Sequence, residues 1–459
     1  MAARTRSGGK AALRALASGE AGFARAFDEL VRRREAGRED VEKAARRILE
    51  RVREGGDDEL VACVRKFDGA KLDAVEVTKA EWDEAVARVD PADRAALGKA
   101  AMRVREFHRK RVPSSWEMRE EGGAYMGVRV RPLARVGLYV PGGKASYPSS
   151  VIMNAVPASV VEVPEICVAT PPRPDGSLRP EVLMAARLAG VHRVFKMGGA
   201  HAVAAFAYGT ESVPRVDKVV GPGNQWVAAA KRLVFGEVGI DAEAGPTEVV
   251  VVADRTATAA WVAADLVSQA EHDEQAQAIL ITPAKALAAK VQELVAKQAA
   301  ELARAAVIRE SLAKRGAVVV TRDLDEAIEL ANRYAPEHLV LAVDKPEVAL
   351  KKVTNAGAVF LGHYTPVAAG DYLAGPNHVL PTGGTARFFS PLGVEDFLKR
   401  SSFVRFEPPK LRELGLDLIR LAELEGLPGH ARSVDLRLAK IRRERREREA
   451  AREAEGDIL

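Results

Sequence analysis

Along the first quarter of the chain, apolar positions recur every three to four residues. DVEKAARRILERVREGG (40–56) and PADRAALGKAAMRVREFHRK (91–110) follow that spacing, which predicts amphipathic helices. Residues 1–35 read as a helical N-terminal arm. Between 128 and 254 the pattern changes to short β-branched runs alternating with Ala-rich helices. VGLYV precedes PGG, EICVAT precedes PP, RVFKM precedes GGAHAVAAFAYG, and DKVV precedes GPGNQWVAAAKRLVFG. The habit repeats from TEVVVVAD (247–254) through QAILIT, GAVVVT, LVLAVD and GAVFLG.

Strands alternating with helices of this length predict βαβ units and parallel sheets. Two such blocks predict an α/β protein with two domains of similar build. The first is discontinuous, 36–135 with 249–385, and the second spans 136–248. From 386 to 459 the chain reads as a helical C-terminal extension ending in the alternating-charge tail RRERREREAAREAE.

The 459 residues are 47% hydrophobic and 29% charged, ordinary for a globular protein. Net charge is +5, but 69 basic residues are interspersed with 64 acidic ones and only 5% are aromatic. That argues against a phosphate-tracking patch or a base-stacking platform, so no nucleic-acid partner is expected. The two cysteines, Cys63 and Cys167, are far apart and fit a reducing cytoplasm. No apolar run reaches the length of a membrane span, and the N-terminus lacks a secretory apolar core.

Ligands of open α/β sheets bind at the carboxyl ends of strands. Three Gly-rich edges stand there: LYVPGGK (138–144), KMGGAHA (196–202) and VVGPGNQ (219–225). The last two run into helices, whose first amides suit a pyrophosphate. None matches G-x-G-x-x-G, and each alone is also an ordinary βα turn.

Among eight histidines, three keep suggestive company. Gln269 and His272 are three apart in SQAEHDEQ, at the end of an Ala-rich helix, so they share a face. His338 follows Glu337 in YAPEHLVL, an acid and a base at a helix-to-strand edge. His430 follows Glu425 by five in ELEGLPGH. A Gly- and Pro-rich segment, AAGDYLAGPNHVLPTGG (368–384), adds Asp371 and His378. Amide and carboxylate oxygens with imidazole nitrogens make a mixed set suited to zinc, manganese or cobalt. Spacing alone leaves open whether these residues meet.

Together, SQAEHD, APEHL, AGDYLAGPNHVLPTGG, GPGN, AGPTE, LYVPGG and EGLPGHARSV resemble the histidinol dehydrogenases, in family order from about residue 35 to 440. The resemblance implies two similar, incomplete Rossmann-like domains with helical terminal extensions, in a homodimer. It implies oxidation of L-histidinol through an aldehyde to L-histidine, with two NAD⁺ used in turn and one zinc per site. Its zinc ligands fall on Gln269, His272 and Asp371, with His430 from the partner subunit. His338 falls on the base for the alcohol proton and Glu337 on the group that activates water. Thr247 and Glu425, with His338 and the metal ligands, fall on substrate contacts, and Tyr139, His201 and Asn224 on dinucleotide contacts.

Two positions depart from the family's pattern. His201 replaces the usual Gln of GGAQA, and Thr247 the usual Ser of AGPSE. The nearest alternative is a related zinc- and NAD-dependent dehydrogenase of another small diol or amino alcohol.

Overall fold

The computed structural model describes residues 13–32, 38–142, 146–242 and 245–456, with backbone alone at 38 and 453–456. The chain divides into two compact units, Met1–Val112 with Pro132–Phe397, and Pro113–Arg131 with Leu398–Leu459. The strands, in chain order, are β1 Arg14–Ala17, β2 Trp116–Glu120, β3 Ala124–Pro132, β4 Arg135–Tyr139, β5 Glu165–Thr170, β6 Arg193–Lys196, β7 Lys218–Val220, β8 Gly239–Ile240, β9 Glu248–Ala253, β10 Gln277–Thr282, β11 Ala317–Val320, β12 His338–Ala342, β13 Ala358–Leu361 and β14 Leu398–Phe406.

The larger unit holds two parallel sheets, ordered β6-β5-β4-β7-β8 and β1-β11-β10-β9-β12-β13. Counted from its own first strand, each winds in the order 3-2-1-4-5, and the second gains β1 as an extra edge. This is the doubly wound order short of its sixth strand, as an incomplete Rossmann-like fold requires.

The apolar runs are continuous because both faces of these strands are covered. In β9–β12 alternate residues enter two cores. Val249, Val251, Leu280 and Val340 pack with Val262 and Leu266 of the helix Ala259–Ala270. Val250, Val252, Ile279 and Leu339 pack with Ile328 and Tyr334 of the helix Leu324–Tyr334. Burying such a side chain contributes roughly 1.5–3 kcal/mol, and a one-residue slip of register would carry each set into the core packed for the other.

Two segments differ from the pattern reading. Arg14–Ala17 is a strand, pairing in parallel with Ala317–Val320, and the arm becomes helical only at Phe23. Four residues are too few for a period to show. In the smaller unit β14, β3 and β2 form a separate sheet, antiparallel between β2 and β3. The C-terminal segment is thus α-helical only from Pro408, after short 3-10 turns and β14. No described helix is long and apolar enough to cross a membrane.

Candidate active site

The helix Leu324–Tyr334 stops because Pro336 disfavours α geometry in the residue before it. Ala335 takes a left-handed conformation instead, φ 53° and ψ 66°. Three residues later the chain enters β12 at His338, which lies in register with Val249 of β9. Thr247 and Glu248, at the head of β9, therefore stand beside Glu337 and His338. Glu337 Oε2 accepts the Thr247 hydroxyl at 2.6 Å and the Glu248 amide at 2.8 Å. His338 Nδ1 lies 3.0 Å from the Glu248 carbonyl oxygen. A carbonyl only accepts, so Nδ1 carries the proton and Nε2 is the free ring nitrogen.

Gln269 comes from the last turn of the helix Ala259–Ala270 and is buried. Its Nε2 donates to Thr247 Oγ1 at 2.5 Å, leaving the amide oxygen for another partner. Asp371 Oδ1 stands 3.9 Å from His338 Nε2. The Asp371 carbonyl is held by His378 Nδ1 at 2.9 Å, and His378 Nε2 meets the Ser150 hydroxyl at 3.2 Å. Glu248 itself accepts the Gly383 amide at 3.2 Å, tying the 368–384 loop to β9. The structure thus joins Gln269, Thr247, Glu337, His338 and Asp371 in one run.

Burial disfavours the charge of His338, but Glu337 and then Asp371 outweigh it and push the imidazole up to about 9. Burial raises Glu337 too, yet the His338 charge and the Thr247 and Glu248 donors bring it below the ordinary carboxylate range. Glu337 and His338 therefore favour a charged pair over the neutral imidazole that the sequence alone suggests. Burial pushes His378 down, despite the opposing pull of the Asp371 charge.

Among the described residues, the His272 side chain makes no hydrogen bond or ion pair with this run. The helix ends at Ala270, so His272 sits past its C-cap on an exposed turn rather than on a shared helical face with Gln269. Glu425 and His430 are exposed in the smaller unit. Among the described residues no group of three His, Cys, Asp or Glu gathers as a metal site. The donor chemistry nevertheless fits a divalent ion. Asp371 is part-exposed, Gln269 keeps its amide oxygen, and His272 presents an unburied imidazole. That is an N/O set lacking one nitrogen donor for four-coordination.

In the five-stranded sheet the winding reverses between β4 and β7, which opens a crevice at their carboxyl ends. Gly142, Pro222, Gly223 and Asn224 are part-exposed or exposed at this edge. Asn224 Oδ1 caps the helix Gln225–Val234, accepting the amides of Trp226 and Val227 at 3.1 and 3.2 Å. Gly221 must be glycine: its φ is 119°, and a Cβ would lie 2.1 Å from the Tyr139 carbonyl. A dinucleotide fits such an edge, although Tyr139 and His201 are buried behind it.

Sequence reasoning missed several supports. Asp68 accepts the Gly198 amide at 3.0 Å and meets His201 Nε2 at 2.9 Å. Asp241 accepts the Gly221 amide at 2.8 Å and pairs with buried Lys231. Glu248 carried a signal, a carboxylate heading the apolar run EVVVVA. Asp68 carried none, lying 130 residues from Gly198.

The histidinol dehydrogenase family model matches residues 31–438. Histidinol dehydrogenase of Syntrophotalea carbinolica is 53% identical over 428 residues, 93% of this chain and 99% of its own. That of Geobacter metallireducens is 55% identical over 412 residues, 89% and 94% of the two chains. The crystal structure of histidinol dehydrogenase from Elizabethkingia anophelis superposes with a TM-score of 0.88 at 33% identity, covering 94% and 99%. With matches running along nearly its whole length, the chain belongs to the histidinol dehydrogenase family.

Proposed function

We propose that this enzyme oxidises L-histidinol to L-histidine in two steps, with NAD⁺ as hydride acceptor and a zinc ion holding the substrate. The observation that carries the reading is the run of contacts from Gln269 through Thr247 and Glu337, hydrogen-bonded, to His338 and Asp371, joined by ion pairs. It supplies an acid/base pair beside oxygen donors for a cation. When bound, NAD⁺ takes a hydride in each oxidation, and zinc fixes the substrate's nitrogens. Gln269, His272 and Asp371 would hold the metal, and His430 would complete the set from the partner subunit, with Glu425 beside it at the substrate.

In the first step the alcohol loses a hydride and a proton. His338 Nε2 takes the proton, while the Glu248 carbonyl fixes the tautomer through Nδ1. The base must be neutral to do so. Asp371 is one of the two carboxylates that hold the imidazole charged, and as a metal ligand it would hold that proton less tightly, which would bring His338 toward the working range. In the second step water adds to the aldehyde, and the hydrate loses a hydride and two protons to give the carboxylate. Glu337, ionised and aimed by Thr247, accepts the proton from that water. The two free, buried thiols take no part and suit a reducing cytoplasm.

The test follows NADH absorbance with limiting L-histidinol. Two NADH per histidinol are expected. One equivalent, or no turnover, points instead to oxidation of a different small alcohol.

A further inference from the structure

The helix Arg38–Cys63 does not end in an ordinary cap. It passes into a π-turn, Val64–Asp68, before reversing at Gly69, φ 75°. Such turns re-aim single side chains, often at functional sites, and this one carries Asp68 to the GGAHA edge. The carboxylate and the His201 ring are 9% and 1% exposed. Asp68 Oδ2 receives the Gly198 amide at 3.0 Å and His201 Nε2 at 2.9 Å. Gly198 also lies 3.3 Å from His201 Nε2, but a nitrogen donating to Asp68 cannot accept there, so both donors converge on the carboxylate.

The next amide, Gly199, donates to the Tyr139 hydroxyl at 3.2 Å, and Tyr139 is 4% exposed. Phe67 covers the other side, its ring stacked on His201 with centroids 5.9 Å apart. Neither glycine tolerates a side chain. A Cβ at Gly198 would lie 2.6 Å from Asp68 Oδ1 and 2.8 Å from Pro171, and Gly199 has φ 52°.

Two consequences follow for the helix Gly199–Tyr208. Its leading amides are taken by internal acceptors, and Asp68 places a negative charge at the positive end of its dipole. A phosphate approaching this turn would meet a carboxylate and no free glycine amide. Tyr139 and His201 are correspondingly too buried to present their polar atoms at the edge.

We propose that Asp68 is a positioning residue for the dinucleotide, which with His201 and Tyr139 fixes the Gly198–Gly199 turn that shapes the cofactor-side edge. This rests on the NAD reading given above. In this arrangement His201 serves as an N–H donor to Asp68, a task that a glutamine amide also performs.

The experiment titrates NADH by fluorescence, without histidinol, and measures steady-state constants in parallel. Asp68→Ala and His201→Ala are each expected to weaken NADH binding and raise KM for NAD⁺ about fivefold, as losing one buried hydrogen bond would. kcat at saturating NAD⁺ and KM for histidinol stay within about twofold. His201→Gln restores wild-type binding, and the double alanine variant is no worse than either single one, since the pair acts as a unit. NADH binding by folded Asp68→Ala equal to wild type would overturn the proposal. So would kcat falling with KM unmoved. Should Asp68→Ala fail to fold, the comparison of His201→Gln with His201→Ala decides: equal affinities overturn the proposal. Wild-type protein that binds no NADH removes the NAD reading itself, and this inference with it.

Discussion

Thr247 Oγ1 donates to Glu337 Oε2 at 2.6 Å, so the carboxylate assigned to water activation is aimed by a hydroxyl from the neighbouring strand edge. Removing that donor should slow aldehyde oxidation. Thr247→Val is expected to lower it about tenfold, the loss of one hydrogen bond to a charged group. Thr247→Ser keeps the hydroxyl and should stay within about twofold of wild type. Single-turnover oxidation of the aldehyde checks both.

His338 and Glu337 should separate by half-reaction. His338→Asn is expected to lower alcohol oxidation by about 10²–10⁴-fold, the usual contribution of a positioned base. Glu337→Gln should act mainly on the aldehyde step. Supplying histidinol and the aldehyde separately reads each one. Unchanged aldehyde oxidation in Glu337→Gln would remove the water-activation role.

Chelation should abolish turnover, and zinc or manganese should restore it. Gln269→Ala and Asp371→Asn should each retain less metal on gel filtration, measured by elemental analysis independently of activity. Full turnover at no measurable metal content would dismiss the mixed N/O set.

The partner contribution has a quantitative test. Gln269→Ala and His430→Ala subunits, each inactive alone, are unfolded and refolded together in equal amounts. Half the dimers are then mixed, each with one complete site, so about a quarter of wild-type activity returns if the symmetric dimer shares its site. No recovery in confirmed heterodimers would mean that His430 serves its own chain or none.

Asp265, one turn before Gln269, is pushed up to about 6 by burial. The folded chain therefore binds this proton more tightly than the unfolded one. The resulting stability is full below the ordinary aspartate value near 3.9 and lost as pH rises through about 6. Asp265→Asn removes that dependence. Relative to wild type it should gain about 1–2 kcal/mol at pH 8 and almost nothing at pH 4, measured by urea unfolding at both.

The parallel sheets were legible because β9–β12 are apolar on both faces, a pattern that EVVVVA and QAILIT carry in full. The acid/base pair was legible because Glu337 and His338 are sequence neighbours. His272 shows the limit of periodicity: the helix stops two residues before it, and the i, i+3 geometry stops too. β1 was hidden because RALA is equally at home in a helix and becomes a strand only beside β11. Asp68 and Asp241 were hidden for a related reason. A carboxylate bracing a glycine amide from a distant segment leaves no mark in either segment's composition. The rule of looking at carboxyl ends led to the cofactor-side turns but away from His338, which opens its strand instead of ending it.

The pairing of Arg14 with Ala317 also sets an order of assembly. During synthesis the partner strand leaves the ribosome about 300 residues after β1, a delay of roughly 15–60 s at ~5–20 residues per second. The five-stranded sheet lies wholly between them in the chain and can close first. Until then the nascent chain carries an unmatched strand at its leading end and, late on, an open β11 edge, the two surfaces most open to pairing with another chain. The N-terminal strand is a latch that cannot shut until β11 has been made, so truncating it should show first as aggregation during expression rather than as a slower enzyme.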